Sequence, residues 1–248
     1  MNIPIPCLIR AVVFATALAG NSALAAVQLS STRVIMNEAD KEVPVYAKNL
    51  TNDPYVVQAW IDGDAEEMDT PFFITPPLSR FEGHTERRLS VTRVGHGLPA
   101  DRESYFWVNV LEIPQKKAGD LNTLSLASRT RIKLFYRPAA IQDLPRGHAM
   151  LTWALVPDGK ACLLAITNAS AYTVNFAQIE LQGQAPGFGR GVIAKPLATT
   201  SVPLGKCPAA AGLAATPRVV NDFGAVEIWP AAAIGAQPSG QNEAGAAK

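Results

Sequence analysis

The chain has 248 residues, of which 48% are hydrophobic and 17% are charged. Its 22 basic residues almost balance its 21 acidic residues, so the charge favours neither a nucleic acid nor an anionic membrane surface as a partner. The length is sufficient for two domains, each with its own core.

The N-terminus has a pattern typical of an export signal. Arg10 precedes the apolar run 11–20, and Ala23-Leu24-Ala25 has the small-residue form of a signal-peptidase site. An apolar helix of about ten residues spans about 15 Å, roughly half of a bilayer core. We therefore expect cleavage after Ala25 and no membrane anchor. Cleavage would also remove Cys7 and Arg10, which leaves a mature chain with no net formal charge.

The first half of the mature chain predicts one sandwich domain. Short runs rich in β-branched and aromatic residues recur about every ten residues, between Gly, Pro, Asn or Asp. No segment has the sustained apolar period of a long helix. The predicted strands are Gln28–Met36, Val43–Asn49, Tyr55–Ile61, Phe72–Thr75, Arg88–Val94, Tyr105–Ile113 and Leu124–Arg137. They predict an immunoglobulin-like domain over residues 26–143.

A linker and a second domain follow. Residues 137–147 contain Pro138 and Pro145 and end at Gly147, as a linker does. Further strands are predicted at Met150–Val156, Ala161–Asn168, Thr173–Leu181, Gly191–Ala194, Thr199–Leu204, Arg218–Asn221 and Ala225–Trp229. The fold class is therefore all-β, with a second immunoglobulin-like sandwich over residues 144–230. The Ala- and Gly-rich residues 231–248 are predicted to be a disordered tail.

Cys162 and Cys207 remain after cleavage. In an oxidising compartment, one disulfide within the second domain is favoured over a metal site, because no His lies near either Cys at ligand spacing.

The sequence contains no catalytic motif that we can identify. His84, His96 and His148 lie singly in predicted turns or in the linker. The glycine-rich segment 187–191 lacks dinucleotide-binding spacing, and no predicted helix follows it. We therefore expect a protein that is not an enzyme, with no catalytic residues, no cofactor and no metal.

The segment Leu124–Pro138 alternates apolar and basic side chains. Alternation places one set on one face (Leu124, Leu126, Ile132, Leu134) and the other on the opposite face (Arg131, Lys133, Arg137). On composition alone, these charges are the solvated face of a half-buried strand, and the same interpretation applies to Arg33 in the first strand.

Five separated segments resemble the immunoglobulin-like periplasmic chaperones of the chaperone–usher pathway. The segments are Val27–Val34, the Thr-Pro-Pro turn in Phe73–Arg80, Asp101–Pro114, Arg131–Pro138 and Asn221–Gly224. They occur in the family's order and are spread over the whole mature chain. The resemblance implies a periplasmic location and two domains in an L or boomerang arrangement with a cleft between them.

Arg33 and Lys133 resemble the two basic cleft residues of this family, which bind the C-terminal carboxylate of a pilus subunit. Charge-assisted hydrogen bonds to a carboxylate contribute roughly 1.5–3 kcal/mol each. Anchoring a chain end would also fix the register of a strand that pairs beside it.

The resemblance also implies donation of a strand to an incomplete subunit sandwich. The matching positions are Leu124, Leu126, Ser128, Thr130 and Ile132. Ser128 departs from the large apolar residue usual in the family. Such an edge strand also predicts self-association of the free protein.

Glu103, Arg137 and Asp222 match charged residues that connect the two domains in the family. The short connection between Ile113 and Leu124 resembles the branch that serves rod-like pili. The implied partners are pilus subunits and an outer-membrane usher.

Two other classes of protein remain as alternatives. A pilus subunit or adhesin would be expected to end in an alternating apolar strand, whereas residues 240–248 are Ala- and Gly-rich. A secreted sugar-binding module or hydrolase could use Trp60, Trp107, Trp153 and Trp229 as a stacking platform. These tryptophans lie in strand patterns, where a core position is more usual, and a clustered exposed pair would favour the sugar-binding alternative.

Overall fold

The computed structural model describes residues 26–115, 125–158, 161–204, 207–208 and 212–236. The predicted cleavage signal, Leu124 and the end of the predicted tail lie outside these residues. The described chain forms two β-sandwiches, which confirms the predicted all-β class. We call residues 26–137 the first sandwich and residues 151–236 the second sandwich.

The first sandwich contains the strands β1 (Val27–Leu29), β2 (Arg33–Asn37), β3 (Glu42–Asn49), β4 (Tyr55–Asp62), β5 (Phe72–Thr75), β6 (Leu78–Phe81), β7 (Glu86–Arg93), β8 (Ser104–Pro114) and β9 (Ser128–Arg137). One sheet has the order β1-β3-β7-β5, and the other has the order β2-β9-β8-β4-β6. Alternate side chains of the two sheets form a shared core, in which Met36, Phe81, Leu89 and Leu134 are fully buried.

The predicted first strand, Gln28–Met36, is two strands in the structure. β1 pairs with β3 in one sheet, and β2 pairs in parallel with β9 in the other. The chain changes sheets at residues 30–32, which carry only hydroxyl side chains. Val27 and Val34 therefore enter the same core from opposite sheets.

The second sandwich contains the strands β10 (Leu151–Asp158), β11 (Ala161–Asn168), β12 (Val174–Leu181), β13 (Ile193–Ala194), β14 (Ala198–Leu204), β15 (Ala214–Val220), β16 (Val226–Ile228), β17 (Ala232–Ala233) and β18 (Gly235–Ala236). Its sheets have the orders β14-β11-β10-β18 and β13-β12-β15-β16, with β17 paired to β15. Trp153 and Phe176 pack edge to face in its core, with ring centroids 5.6 Å apart.

The chain between the sandwiches is ordered and partly buried. A short 3-10 turn, Ala139–Ile141, follows Pro138, and a second one, His148–Met150, leads into β10. The side chain of Ile141 is fully buried and packs against Ala171 and Tyr172 of the second sandwich.

The prediction of a disordered tail from residue 231 is wrong for its first residues. β17 pairs with β15, and β18 pairs in parallel with β10. Ile234 lies between them, with only 5% of its surface exposed, in the second core. The buried side chain of Ile234 anchors this segment, although the neighbouring Ala and Gly residues are exposed or half-buried.

The predicted disulfide between Cys162 and Cys207 is present, with a Cα–Cα distance of 4.9 Å. It connects the beginning of β11 to the chain that follows β14. Within the described residues, no helix is long and apolar enough to cross a bilayer, and no cluster of His, Cys, Asp and Glu has metal-binding geometry.

Candidate functional site

Arg33 and Lys133 are direct neighbours across the parallel pair of β2 and β9. β2 begins at Arg33, and its five residues pair in register with Lys133–Arg137. The fold therefore brings together two cations that are a hundred residues apart in sequence. Both side chains are half-buried.

The two cations have few partners of their own. Arg33 donates a hydrogen bond from Nη1 to the carbonyl oxygen of Val220, in the second sandwich, at 3.1 Å. The Nε atom of Arg33 is buried without a hydrogen-bond partner. Among the described residues, no carboxylate lies within ion-pair distance of either cation. The pair therefore retains hydrogen-bond donors.

The electrostatics of the pair favour an anion. Burial lowers the pKa of Arg33, and the charges of Asp222 and Glu103 oppose that effect. Burial and the charge of Arg33 lower the pKa of Lys133, with Asp64 in opposition. Two partly desolvated like charges repel each other, so a carboxylate placed between them would stabilise both protonated forms.

Trp107 lies on the same face of the sheet as Lys133. It lies directly opposite Lys133 in the pairing of β8 with β9. Lys133 Nζ is 4.9 Å from the centroid of the indole ring, and the guanidinium of Arg131 is 4.4 Å from it. Arg131 also pairs with the buried Asp62 at 2.8 Å. The sequence interpretation placed Trp107 in the core and missed these contacts, although the register of β8 against β9 indicates them.

Glu103, Arg137 and Asp222 form one ion-pair network at the junction of the sandwiches. Arg137 donates to Glu103 Oε1 at 2.8 Å and to both carboxylate oxygens of Asp222 at 2.8 and 2.9 Å. Arg146 donates to Asp222 at 2.8 Å. The second oxygen of Glu103 accepts from the backbone nitrogen of Thr173 at 2.8 Å, which ties the start of β8 to the second sandwich.

The network shifts the protonation equilibria of its members. Burial lowers the pKa of Arg137, but the hydrogen bonds and charges of Asp222 and Glu103 outweigh it and raise that pKa. Burial alone would raise the pKa of Asp222, whereas Arg137 and Arg146 together lower it to about 2. Arg137 and Asp222 are therefore both charged at neutral pH, and the side chain of Glu103, which completes the network, is 1% exposed.

Within the described part of the chain, the first half of β9 is unpaired on one side. Residues 128–132 pair with β8, while β2 covers only residues 133–137. Leu126 lies just before the strand and is 72% exposed. Ser128 and Thr130 are half-buried. The described residues therefore include a short strand edge preceded by an exposed apolar side chain.

Ile132 differs from the other predicted donor positions. It shares a strand face with Ser128 and Thr130, but it is only 7% exposed and belongs to the core of the first sandwich. The alternation predicted the strand face on which Ile132 lies, but at Ile132 that face packs against the other sheet of the first sandwich. Its side chain is committed to the chain's own core, and only its backbone lies on the open edge.

The four tryptophans do not form an exposed platform. Trp153 is 5% exposed, and Trp60, Trp107 and Trp229 are half-buried. The sugar-binding alternative is therefore not favoured.

Comparisons with known families find matches over nearly all of the described chain. The family described as the pili and flagellar-assembly chaperone PapD N-terminal domain matches residues 26–142. The family described as the pili assembly chaperone PapD C-terminal domain matches residues 147–228.

Individual relatives agree with the family matches. The chaperone protein LpfB of Salmonella typhimurium is 35% identical over 219 residues, which covers 84% of this chain and 88% of LpfB. The probable fimbrial chaperone YadV of Escherichia coli is 37% identical over 231 residues, covering 86% and 93%. The crystal structure of YadV has a TM-score of 0.67 at 32% identity and covers 84% of this chain and 99% of that one. The Salmonella enterica SafB chaperone, solved with the SafA pilin, has a TM-score of 0.66 at 25% identity, covering 85% and 96%.

Proposed function

The chain belongs to the PapD family of pilus-assembly chaperones, and we propose that it captures pilus subunits by binding their C-terminal carboxylate at Arg33 and Lys133. The observation that carries the proposal is the parallel register that makes these two cations neighbours. Arg33 provides a planar set of N–H donors, and Lys133 provides a compact charge. A carboxylate can accept hydrogen bonds from both.

The open half of β9 supplies the second part of the proposed interaction. A subunit strand that pairs with residues 128–132 would satisfy backbone groups that β2 leaves uncovered. Leu126, which is 72% exposed, would enter the subunit's open core, and we assign the same role to Leu124. Ser128 and Thr130 would make smaller contacts, and Ile132 would contribute backbone only. The complex of SafB with its pilin supports this class of partner.

The ion-pair network holds the carboxylate site together in this proposal. Arg137 ends the strand that carries Lys133, and Asp222 lies two residues after Val220, the acceptor for Arg33. The network therefore fixes the two sandwiches on either side of the cationic pair. It is a positioning device and does not touch the subunit.

We place the protein in the periplasm after export and cleavage at Ala25, and we expect it to deliver its subunits to an outer-membrane usher. The pattern of residues 10–25 and the disulfide between Cys162 and Cys207 support an oxidising compartment. A structural relative, SfaE, is described as a periplasmic chaperone and has 29% sequence identity.

The proposal is tested by co-expressing the chaperone with candidate pilus subunits and measuring co-purification from the periplasm. Arg33→Ala and Lys133→Ala should each reduce capture by at least about tenfold, because each removes a charge-assisted bond. The matched control is Arg80→Ala, which removes an exposed cation from β6, at the far edge of the same sheet and outside residues 128–132. Normal capture by folded Arg33→Ala and Lys133→Ala proteins would contradict the carboxylate site.

A further inference from the structure

Glu112 is a buried carboxylate near the end of β8. It is 7% exposed and lies on the inward face of the strand with Val108 and Val110. The carboxylate accepts hydrogen bonds from the backbone nitrogens of Ala26, at 3.0 Å, and Val27, at 2.5 Å. Among the described residues, no Lys, Arg or His side chain lies within ion-pair distance of it. A buried carboxylate without a cationic partner is costly, so this site calls for a positive charge.

The nitrogen of Ala26 is held in place by surrounding structure. Val27 begins β1 and pairs with Asn49 of β3. The backbone nitrogen of Leu50 donates to the carbonyl oxygen of Ala26 at 2.8 Å. Ala26 and Val27 are 7% and 3% exposed. The sheet thus fixes the start of the described chain against Glu112, without help from the Glu112 contacts themselves.

Ala26 is also the residue that follows the predicted cleavage site. In the precursor its nitrogen is a neutral amide. When signal peptidase hydrolyses the bond between Ala25 and Ala26, one water is consumed, Ala25 keeps a carboxylate and Ala26 gains a free amine. A free α-amine has a pKa of about 8 and takes up a proton at neutral pH.

We propose that Glu112 is the binding site for the α-ammonium group of the chain's own processed N-terminus. The proposal rests on the export and cleavage after Ala25 that we propose above. Cleavage replaces a neutral donor with a charged one at the same position, and a charge-assisted hydrogen bond is roughly twice as strong as a neutral one. The buried carboxylate thereby receives its missing counter-charge from the processing reaction itself.

The consequence is that the first sandwich becomes more stable when its leader is removed. Glu112 lies opposite Ser128 in the pairing of β8 with β9, at the point where the open edge begins. The ion pair would hold β1 onto the sheet that carries this edge. The precursor lacks the ion pair and should have a less stable subunit-binding domain.

The test inserts Gly-Ser between Ala25 and Ala26, so that export and cleavage yield a chain extended by two residues. The extension moves the ammonium group away from Glu112 and leaves an amide on Ala26. The same insertion is made in a Glu112→Gln background, and all four proteins are purified from the periplasm. Mass spectrometry gives each N-terminus, and urea titration gives each unfolding constant.

In the Glu112 background, the extension should raise the unfolding constant by about tenfold or more. In the Glu112→Gln background, the same extension should change it by less than about twofold, because the ion pair is already absent. If Glu112→Gln does not accumulate, Glu112→Met supplies an apolar background of similar length. Equal effects in both backgrounds, or a mature protein that begins at another residue, would overturn the proposal.

Subunit capture is measured separately on the same four proteins and on Arg33→Ala and Lys133→Ala. Retained capture by the extended chain, together with a raised unfolding constant, supports the ammonium site. Loss of capture only in Arg33→Ala and Lys133→Ala supports the carboxylate site. The two proposals can therefore fail independently.

Discussion

The two halves of β9 are built differently, although they belong to one strand. Among the residues that the structure describes, 128–132 pair only with β8, whereas 133–137 lie between β2 and β8. The second half contains Leu134, Phe135 and Tyr136, none of which is more than 2% exposed. The difference indicates that the covered half anchors the strand, and the anchor allows the other half to keep an open edge.

The open half also carries charges that limit unwanted pairing. Arg129 is paired with Glu66 at 3.2 Å, and Arg131 is paired with Asp62 at 2.8 Å. Charged side chains on an edge strand disfavour contact with a second identical edge. These charges should therefore disfavour the self-association predicted from the sequence, while a strand with complementary groups can still pair with the edge.

The largest expected effect comes from truncating Leu134 in the covered half, compared with truncating Leu126, which lies just before the open half. Leu134→Ala removes a fully buried side chain from the first core and should lower the free energy of unfolding by about 2–5 kcal/mol. Leu126→Ala should change it by less than about 0.5 kcal/mol, because that side chain is 72% exposed. Urea unfolding midpoints measure both changes.

Subunit capture should show the reverse order. Leu126→Ala should reduce co-purification of the subunit although the chaperone stays folded. A large loss of stability in Leu126→Ala with unchanged capture would show that Leu126 belongs to the chaperone's own core and does not enter the subunit's open core.

A smaller effect on stability is expected from low pH, which protonates Asp222 and so weakens its ion pair with Arg137 at the end of the covered half. The pKa of Asp222 is lowered to about 2, so its contribution to stability is complete above its unfolded pKa of about 4. The contribution, about 2 kcal/mol, should be lost as the pH falls from about 4 towards 2. Urea unfolding across this range measures it.

The matched variant for the acid experiment is Asp222→Asn, which cannot ionise. Its stability should be lower at neutral pH and should fall less steeply between pH 4 and 2 than that of the unchanged protein. Equal slopes in the two proteins would show that Asp222 does not titrate in this way.

The smallest expected effect concerns the boundary between the two halves, where Lys133 lies over Trp107 at 4.9 Å. Trp107→Leu removes the cation–π contact and should weaken subunit capture by about 2- to 30-fold. Trp107→Phe keeps an aromatic ring and should restore most of the capture. If both variants bind equally well and unfold alike, Trp107 does not position Lys133.

Local pattern was sufficient for many strands. The predicted bounds of β5 and β11 agree with the structure, and β4 and β8 differ by a residue at one or both ends. β6 was not predicted, because Leu78–Phe81 has two polar residues at its centre and reads as part of the turn after Pro76 and Pro77. Alternation reports which side chains share a face, but it does not report when the chain changes sheets, as at residues 30–32.

The candidate site was less accessible from pattern alone. The pairing of Arg33 with Lys133 depends on a parallel contact between strands far apart in sequence, and only the family resemblance pointed to it. Glu112 carried no signal in the sequence, because only the fold shows that its carboxylate meets the backbone nitrogens of Ala26 and Val27. The burial of Ile132 could not be predicted from the strand pattern, because it depends on how far the other sheet of the first sandwich packs over β9.

The ordered connection between the sandwiches has a consequence for binding. The hydroxyl of Tyr172 donates to the carbonyl oxygen of Ile141 and, at 3.2 Å, to that of Gln142. These hydrogen bonds hold the connection against the second sandwich, so the connection is not a free hinge. Conformational entropy that a hinge would lose when a ligand arrives has already been lost during folding. The protein therefore meets its partner as a preorganised receptor, and affinity should depend on complementarity more than on closure.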